Sequence, residues 1–530
     1  MVSVNVRKRY AASTEPKGRI LRSRQLEFKR LCLVAAGFAI SGSISLLRAQ
    51  STAQLSATPA NSPGPTINQS VIPSGQSSVN SVNSMVQVSG PYASSVLAPD
   101  ANGTALSLTI EDAIRRGLTY NLGEIAASVR RHSAEASVLG SWSALLPNVS
   151  GSVSENVNKV DLAAEGFDAS SLPSIGEYFP SAIGPFHYYS AQAQVSQSLL
   201  DIVAIRNLLA AKEGEHAADF NQRDVREQIV LAVAAAYLQV LAQDARISAA
   251  ESEVKYAQAI YDQAVQQKAA GAKSSIEVNR SRVQLQARQQ QLLGQLGEKQ
   301  KQEMILARII GLSVDRKIEL AETLQPISPS LPTLDSLYRE AMNRGDVKAI
   351  EAELRSAERT GQAAKAERLP SIRLNGFYGE QGGDFHSGAT VYSGSITLNV
   401  PIFNGGQTRS DVQQADAAIQ ERRAALSAKQ EDVRFEVRSA WIDLNTASKQ
   451  FEVAKSNSVL ADETLRQSID RFQAGAADSV EVAQSQDQLS DANQDYINSL
   501  YSLRLAQISL ARAIGTAEKD VPAILKEVRP

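Results

Sequence analysis

The stretch QKAAGAKSSIEV at residues 267–278 recurs as RFQAGAADSVEV at residues 471–482. The glycines of the two stretches, Gly271 and Gly475, lie 204 positions apart. At the same spacing, the stretch LARIIG that ends at Gly311 recurs as LARAIG. Two matches at one spacing indicate a tandem duplication of a unit of about two hundred residues.

Each copy contains a proline-free stretch long enough for very long helices. Proline is absent from residues 186–325 and 402–521, and proline breaks helix interiors. We therefore predict one helix over 406–473, ~100 Å long, and a return helix over 479–514. A shorter helix over roughly 340–369 would lead into the strands and, stacked on the return helix, line the rest of the long one.

Segments that alternate between apolar and polar residues precede the longest helix of each copy. In VYSGSITLNV at 391–400, one face is mostly apolar, and the other carries serine, threonine and asparagine. Such alternation predicts β-strands with one apolar face, and a soluble sheet packed on a core has the same pattern. We assign to the barrel strands Val149, Val153, Tyr189, Val195, Tyr378, Tyr392, Ile396 and Leu398, with the tyrosines near strand ends, where an aromatic girdle would lie.

The first 49 residues have the composition of an export signal. A basic stretch precedes the apolar run 31–47, and the small residue Ala49 offers a cleavage site. The chain's single cysteine, Cys32, lies inside this run, so the mature chain would contain none. Residues 50–103 are rich in Ser, Ala, Pro and Asn, and we predict a disordered linker there. No later stretch approaches the ~18 apolar residues of a membrane-spanning helix, so entry into a membrane would require strands.

Charge and motif content disfavour several classes of function. Removing residues 1–49 takes away ten Lys or Arg and two Asp or Glu, which changes the net charge from −2 to −10 and disfavours nucleic acid as a partner. The four histidines are scattered without metal-ligand spacing. We find no glycine-rich phosphate loop and no nucleophile–base set. We therefore predict no cofactor, no metal site and no enzymatic activity.

The functional candidates surround the two duplicated glycines. Glycine inside a helical pattern costs about 1 kcal/mol unless a turn requires it, so each glycine predicts the tip of a helical hairpin. The stretches SSIE at 274–277 and DSVE at 478–481 match the capping box that begins a helix. The tip candidates are Gly271, Ser274, Ser275, Gly475, Asp478 and Ser479.

The order of these features resembles the TolC family of outer-membrane factors. The resemblance rests on LSLTIEDAI at 106–114, on the Leu-Pro pair that closes the first helix of each copy, on VPIFNGG at 400–406 and on the duplicated Ala-Gly-Ala stretches. It covers residues 104–516. It implies a mainly α-helical fold with a small transmembrane β-barrel, in which a homotrimer gives four strands per protomer to one twelve-stranded barrel above a helical tunnel.

The same resemblance implies a function for the tips. They would form the periplasmic entrance and contact a periplasmic adaptor (membrane fusion protein) that joins the duct to an inner-membrane pump. Glu481 would form an acidic ring that narrows the pore, with Gln484 at the second position of that ring. The alternative role of Glu481 is to cap the return helix.

The features together divide the chain into six segments. These are a signal peptide (1–49), a disordered linker (50–103), a first repeat (104–315), an equatorial linker (316–332), a second repeat (333–516) and a C-terminal tail (517–530). We predict an outer-membrane exit duct of a tripartite efflux pump or a type I secretion system, in contact with outer-membrane lipid. The alternative is a soluble periplasmic coiled-coil structural or adaptor protein, which would carry one hairpin within β-rich halves instead of two complete rods.

Overall fold

The fold is described from a computed structural model. The described residues are 66–70, 83–87, 90–100, 106–162, 164, 182–271, 274–325, 332–384, 388–474, 476–477 and 479–526. They belong to one compact unit within residues 62–530. The predicted signal peptide lies outside them.

Strands and helices follow one another in the same order in both copies. Before and within the first copy the elements are β1 (Thr66–Ser70), β2 (Asn83–Gln87), β3 (Leu106–Leu108), α1 (Ile110–Tyr120), α2 (Leu122–Ser143), β4 (Asn148–Asp161), β5 (Ala182–Leu200), α3 (Ile202–Ala269) and α4 (Ser275–Ile309). After them come β6 (Ile318–Leu320), α5 (Leu334–Ala341), α6 (Gly345–Ala366), β7 (Ser371–Gly382), β8 (Ala389–Asn399), α7 (Gln407–Gln473), α8 (Ser479–Ile514) and α9 (Ala517–Lys526).

The longest helices match their predicted bounds. Helix α7 has 67 residues and is therefore ~100 Å long, and α8 has 36. The helix predicted over roughly 340–369 is confirmed as α6, which is shorter at both ends. It begins at Gly345, because Arg344 adopts an extended backbone conformation after α5, and it ends at Ala366 before the Leu-Pro pair.

Four strands form one antiparallel sheet in the order β4-β5-β7-β8. Val149 is opposite Val195, and Tyr378 is opposite both Ala193 and Tyr392. Residues directly opposite in antiparallel strands share a face. Since side chains alternate along each strand, the register places all eight residues assigned to the strands on the same side of the sheet.

The core lies along the middle of the long helices in two clusters. The first surrounds the buried run of α3 from Ile229 to Ala242 and includes residues of α1, α4 and α8. The second joins α7, from Val433 to Phe451, to α5 and α8. Helix α3 is long and apolar enough to cross a membrane by length and composition alone, so the prediction that no such stretch exists is wrong. Within its most apolar window 67% is buried inside the protein, as in a core helix.

Parts of the predicted linkers are ordered and packed. The disorder predicted over 50–103 is wrong for β1 and β2, which pair with each other antiparallel. It is also wrong for 90–100, where Tyr92 is buried and the Val96 amide donates to the Tyr120 carbonyl at 2.9 Å. The equatorial linker contains β6, which pairs in parallel with β3. The predicted tail contains α9, whose Val521 is fully buried.

Candidate functional site at the helix tips

The first tip turns at Gly271, as the sequence predicts. Gly271 has φ +74°, a conformation that favours glycine, and its amide donates to the Lys268 carbonyl at 3.0 Å. Ser274 precedes α4 and Ser275 is its first residue, but the Ser274 side chain makes no capping hydrogen bond. The capping box predicted here is therefore wrong in its serine half, because the exposed hydroxyl is free to bond water.

The second tip joins α7 to α8. Gly475 and Asp478 lie outside the described residues, and Ser479 is the first residue of α8. The Ala476 amide donates to the Arg471 carbonyl at 2.8 Å, which begins the turn. Across the turn, the Arg471 guanidinium lies 2.8 Å from the Glu481 carboxylate. The acid predicted for a pore ring is thus accompanied by a cation that sequence reasoning missed.

Hydrophobic packing holds the second tip together and brings the first tip against it. Leu465 and Phe472 of α7 pack on Val482 and Leu489 of α8, and Ile260 of α3 packs against this cluster. The two hairpin ends therefore form one assembly within the protomer.

A groove of about 590 Å³ separates α4 from α8 near the tips. Its apolar lining is exposed to solvent, since the exposed fractions of Ile276 and Val283 are 63% and 66%. Gln484, the second predicted ring residue, lines this groove together with Asp487. The structure thus places Gln484 beside α4 of its own protomer.

An ion-pair network joins α4 to α8 and α3 roughly two to four turns from the tips. Arg288 of α4 donates to the Asp487 carboxylate of α8 and to the Ser490 hydroxyl at 3.4 Å. Its guanidinium also lies 3.3 Å from the Glu253 carboxylate of α3. The side chains of Arg288 and Glu253 are only 12% and 16% exposed, whereas that of Asp487 is 60% exposed, so solvent screens the Asp487 contact more than the Glu253 contact. The sequence shows no sign of it, because its members lie on three different helices.

The strand face assigned from the sequence is mostly open. Tyr392, Ile396 and Val153 are 78%, 70% and 74% exposed. Val195 is half-buried, and Tyr189 is buried, with its hydroxyl close to Gly388. Neighbouring exposed apolar side chains of this kind mark an interaction surface.

A buried polar cluster fixes the second copy at its middle. The Arg344 guanidinium donates to both oxygens of Asp346, at 3.0 and 2.7 Å, to Glu436 at 2.6 Å and to the Ala513 carbonyl at 3.0 Å. Burial alone would raise the pKa of Asp346. The neighbouring cations Arg344 and Lys429 instead hold this pKa at about 2. Sequence reasoning missed this cluster.

No group of three or more His, Cys, Asp or Glu suited to a metal ion occurs among the described residues. The shifts in pKa at the middle of the molecule have structural causes. Burial raises the pKa of Tyr501 to about 12 and lowers the pKa of Arg246, which lies beside it. The candidate site therefore consists of packed apolar side chains, a groove and ion pairs between helices.

Comparison with known proteins agrees with this geometry. The family model of the outer membrane efflux proteins matches residues 122–312 and 337–516, the two copies. The chain is 26% identical over 422 residues to the pyoverdine export outer membrane protein OpmQ of Pseudomonas putida, covering 76% of this chain and 84% of that protein. It is 23% identical over 408 residues to the outer membrane protein TolC of Vibrio cholerae, covering 75% and 88%.

Solved structures show the same fold. The outer membrane protein VceC of Vibrio cholerae superimposes with a TM-score of 0.63 at 19% identity, over 77% of this chain and 96% of that chain. The open-state MtrE outer membrane channel of Neisseria gonorrhoeae gives 0.64 at 17% identity, over 86% and 99%. The match of the family model to both copies, in a chain with this fold, shows that the protein belongs to the outer membrane efflux protein family and is an outer-membrane protein.

Proposed function

We propose that the protein is the exit duct of a tripartite efflux pump, a passive conduit through the outer membrane that opens at its periplasmic tips. The observation that carries the proposal is the direct junction of the longest helices to a sheet with one exposed apolar face. Strand β5 ends at Leu200 and α3 begins at Ile202. Strand β8 ends at Asn399 and α7 begins at Gln407. A rod of helices thus continues into strands suited to lipid.

The duct requires three chains. Strands β4 and β8 are the edges of the four-stranded sheet, and an unpaired edge in lipid leaves backbone groups unsatisfied at several kcal/mol each. Four strands are too few to close on themselves. Pairing β8 of one chain with β4 of the next, around three chains, closes a barrel of twelve strands. The apolar face then points towards lipid and the polar face points inward.

The groove between α4 and α8 is the proposed contact for a periplasmic adaptor. Ile276, Val283 and Val480 present apolar surface there, and helical hairpins are recognised through apolar residues laid into such grooves. The tip residues Gly271, Ser274, Ser275 and Ser479 lie at its lower end. The adaptor would connect the duct to an inner-membrane pump, which supplies the energy.

The bridge from Arg288 to Asp487 is the proposed lock of the tips. It ties the first hairpin to the second, so moving one hairpin away from the other must break it. The Asp487 side chain is 60% exposed, so we expect the bridge to contribute no more than a surface pair, about 0–1 kcal/mol, which is enough to shift the balance between closed and open tips. The Arg471–Glu481 pair lies within one hairpin and does not oppose this movement.

The first test is assembly and conductance of the full chain extracted from outer membranes in mild detergent. We expect a trimer whose mobility in gels changes on heating and which forms channels in planar bilayers. A soluble periplasmic monomer or dimer would contradict the duct and support the coiled-coil adaptor or structural role.

The second test concerns the lock. Asp487→Asn should increase the fraction of time that single channels spend open. Arg280→Gln is the matched control, because the Arg280 ion pair with Glu277 joins residues three apart on the same helix. If both variants gate as the wild type does, the bridge is not a lock.

A further inference from the structure

One charged residue lies on the polar face of the four-stranded sheet. The register fixes this face, because opposed residues in antiparallel strands point to the same side. Between the bulges of the described strands, this face carries Ser, Asn, Gln, Thr, Gly, Ala, Val, Phe and Tyr, and its only charged residue is Arg373. The wall that would surround the barrel's interior is therefore neutral except at this position.

Arg373 lies near the end of the sheet from which the helices leave. Its cross-strand neighbours are Ser198 and Thr397, which are neutral, and it is exposed. The acid that follows β5, Asp201, accepts a hydrogen bond from the Ala204 amide at 2.9 Å and so caps α3. The guanidinium thus presents its charge to the space in front of the polar face.

We propose that Arg373, repeated around the closed barrel, is a charge filter at the junction of tunnel and barrel and makes the exit favour anionic over cationic organic cargo. The proposal rests on the proposed function, since it requires three sheets closed with their polar faces inward. At the tip, the carboxylate of Glu481 is accompanied by the guanidinium of Arg471. The positive charge of Arg373 at the exit is therefore not opposed at the entrance by a ring of acids that lack a neighbouring cation.

The size of the effect follows from Coulomb's law and screening. Three unit charges roughly 10 Å from the axis, in water at 0.15 M salt with a Debye length of ~8 Å, enrich a univalent anion over a univalent cation about three-fold. At 0.01 M salt, where the Debye length is ~30 Å, the same ring gives about twenty-fold. A filter of this kind therefore weakens steeply with salt.

The experiment measures the ratio of chloride to potassium permeability of the full chain in planar bilayers, at both salt concentrations. We expect the wild type to favour chloride, more strongly at low salt. Arg373→Gln should lose about three-fold of the ratio at the higher salt, and Arg373→Lys should keep it. Glu155→Gln is the control, because Glu155 lies on the opposite face of the sheet and its loss should leave the ratio unchanged.

A positional rescue separates the filter from a structural role. Adding Thr397→Arg to Arg373→Gln returns a guanidinium to the same face, directly across the strand pair, and should restore the preference. Channels with a ratio insensitive to Arg373→Gln and to salt would overturn the filter and leave the duct intact. Absence of channels from the wild type would overturn the duct as well. If Arg373→Gln does not assemble, the salt dependence of the wild-type ratio decides.

Discussion

Asp346→Asn should loosen the middle of the second copy without unfolding the sheet. The Asp346 side chain is 11% exposed and is held by Arg344 and by Lys429, whose ammonium lies 2.9 Å away. Its pKa of about 2 lies below the ordinary value of 3.8. At 1.36 kcal/mol per unit of pKa, this difference corresponds to about 2 kcal/mol of stability.

The amide introduced by Asp346→Asn would keep the shape of the carboxylate but not its charge, which leaves the buried guanidinium with Glu436 as its carboxylate partner. A loss of about 2 kcal/mol of stability is therefore the minimum expected for Asp346→Asn, since breaking a buried pair costs about 3–5 kcal/mol. The measure is hydrogen exchange of the α5–α6 junction and of the end of α8. We expect at least about 30-fold faster exchange in the variant at neutral pH.

The pH dependence gives the sign of the effect. A carboxylate with a lowered pKa in the folded state contributes stability that is complete above about pH 4 and is lost as pH falls towards 2. Protection of the wild type, corrected for intrinsic exchange, should fall across this window, and that of Asp346→Asn should change less.

Asp443→Asn on the same helix as Lys429 is the control. Burial raises the pKa of Asp443, so removing its charge should not cost stability. Equal exchange in Asp346→Asn and the wild type, or equal acid sensitivity of the two, would refute the assignment of stability to this cluster.

Tyr237→Phe should cost about 1–3 kcal/mol by removing the hydroxyl that contacts the Leu108 carbonyl and the Glu322 carboxylate, measured as a lower unfolding temperature of the trimer in detergent. In the same assay, Gly311→Ala should destabilise, because φ is +76° and the new Cβ would lie 2.7 Å from a backbone oxygen. Gly214→Ala, in α3 with open space around its Cβ, should instead stabilise by about 0.5–1 kcal/mol. Ile396→Lys should lower the yield of trimers in the outer membrane, at about 2–4 kcal/mol for a charge on the lipid face. Ser395→Lys points to the other face and should assemble, and equal yields of these two would contradict the proposed orientation of the sheet.

The sheet and the hairpins could be predicted because they depend on local periodicity. A strand alternates with a period of two, so the parity of a residue decides its face once pairing occurs, and this held from Val149 to Leu398. The duplicated Gly271 marks a turn because its positive φ suits glycine. Neither inference needs knowledge of distant contacts.

The contacts between helices could not be predicted, because they depend on which faces meet. Glu481 pairs with Arg471, whose equivalent in the first copy is Gln267, so the duplication gives no sign of the pair. The order of 90–100 was missed for a similar reason. Its composition indicates disorder, but the Tyr92 ring packs where Gly123 has no side chain, since a Cβ there would lie 2.8 Å from that ring.

The duplication has preserved one contact through a change of residue type. Tyr237 and Trp441 are equivalent at the 204-residue spacing. The Tyr237 hydroxyl donates to the Leu108 carbonyl at 3.0 Å, and the Trp441 indole Nε1 donates to the Pro332 carbonyl at 3.2 Å. Each acceptor lies two residues before the first helix of its own copy, α1 or α5.

The two side chains therefore make equivalent hydrogen bonds in different surroundings. Tyr237 is fully buried in the first cluster, whereas Trp441 is only partly buried beside the second. A hydroxyl and an indole N–H are both donors carried at the far end of an aromatic ring, so either can reach from the long helix to the incoming chain. What the two copies retain is a donor at a fixed position, which ties the start of each copy to the middle of its longest helix.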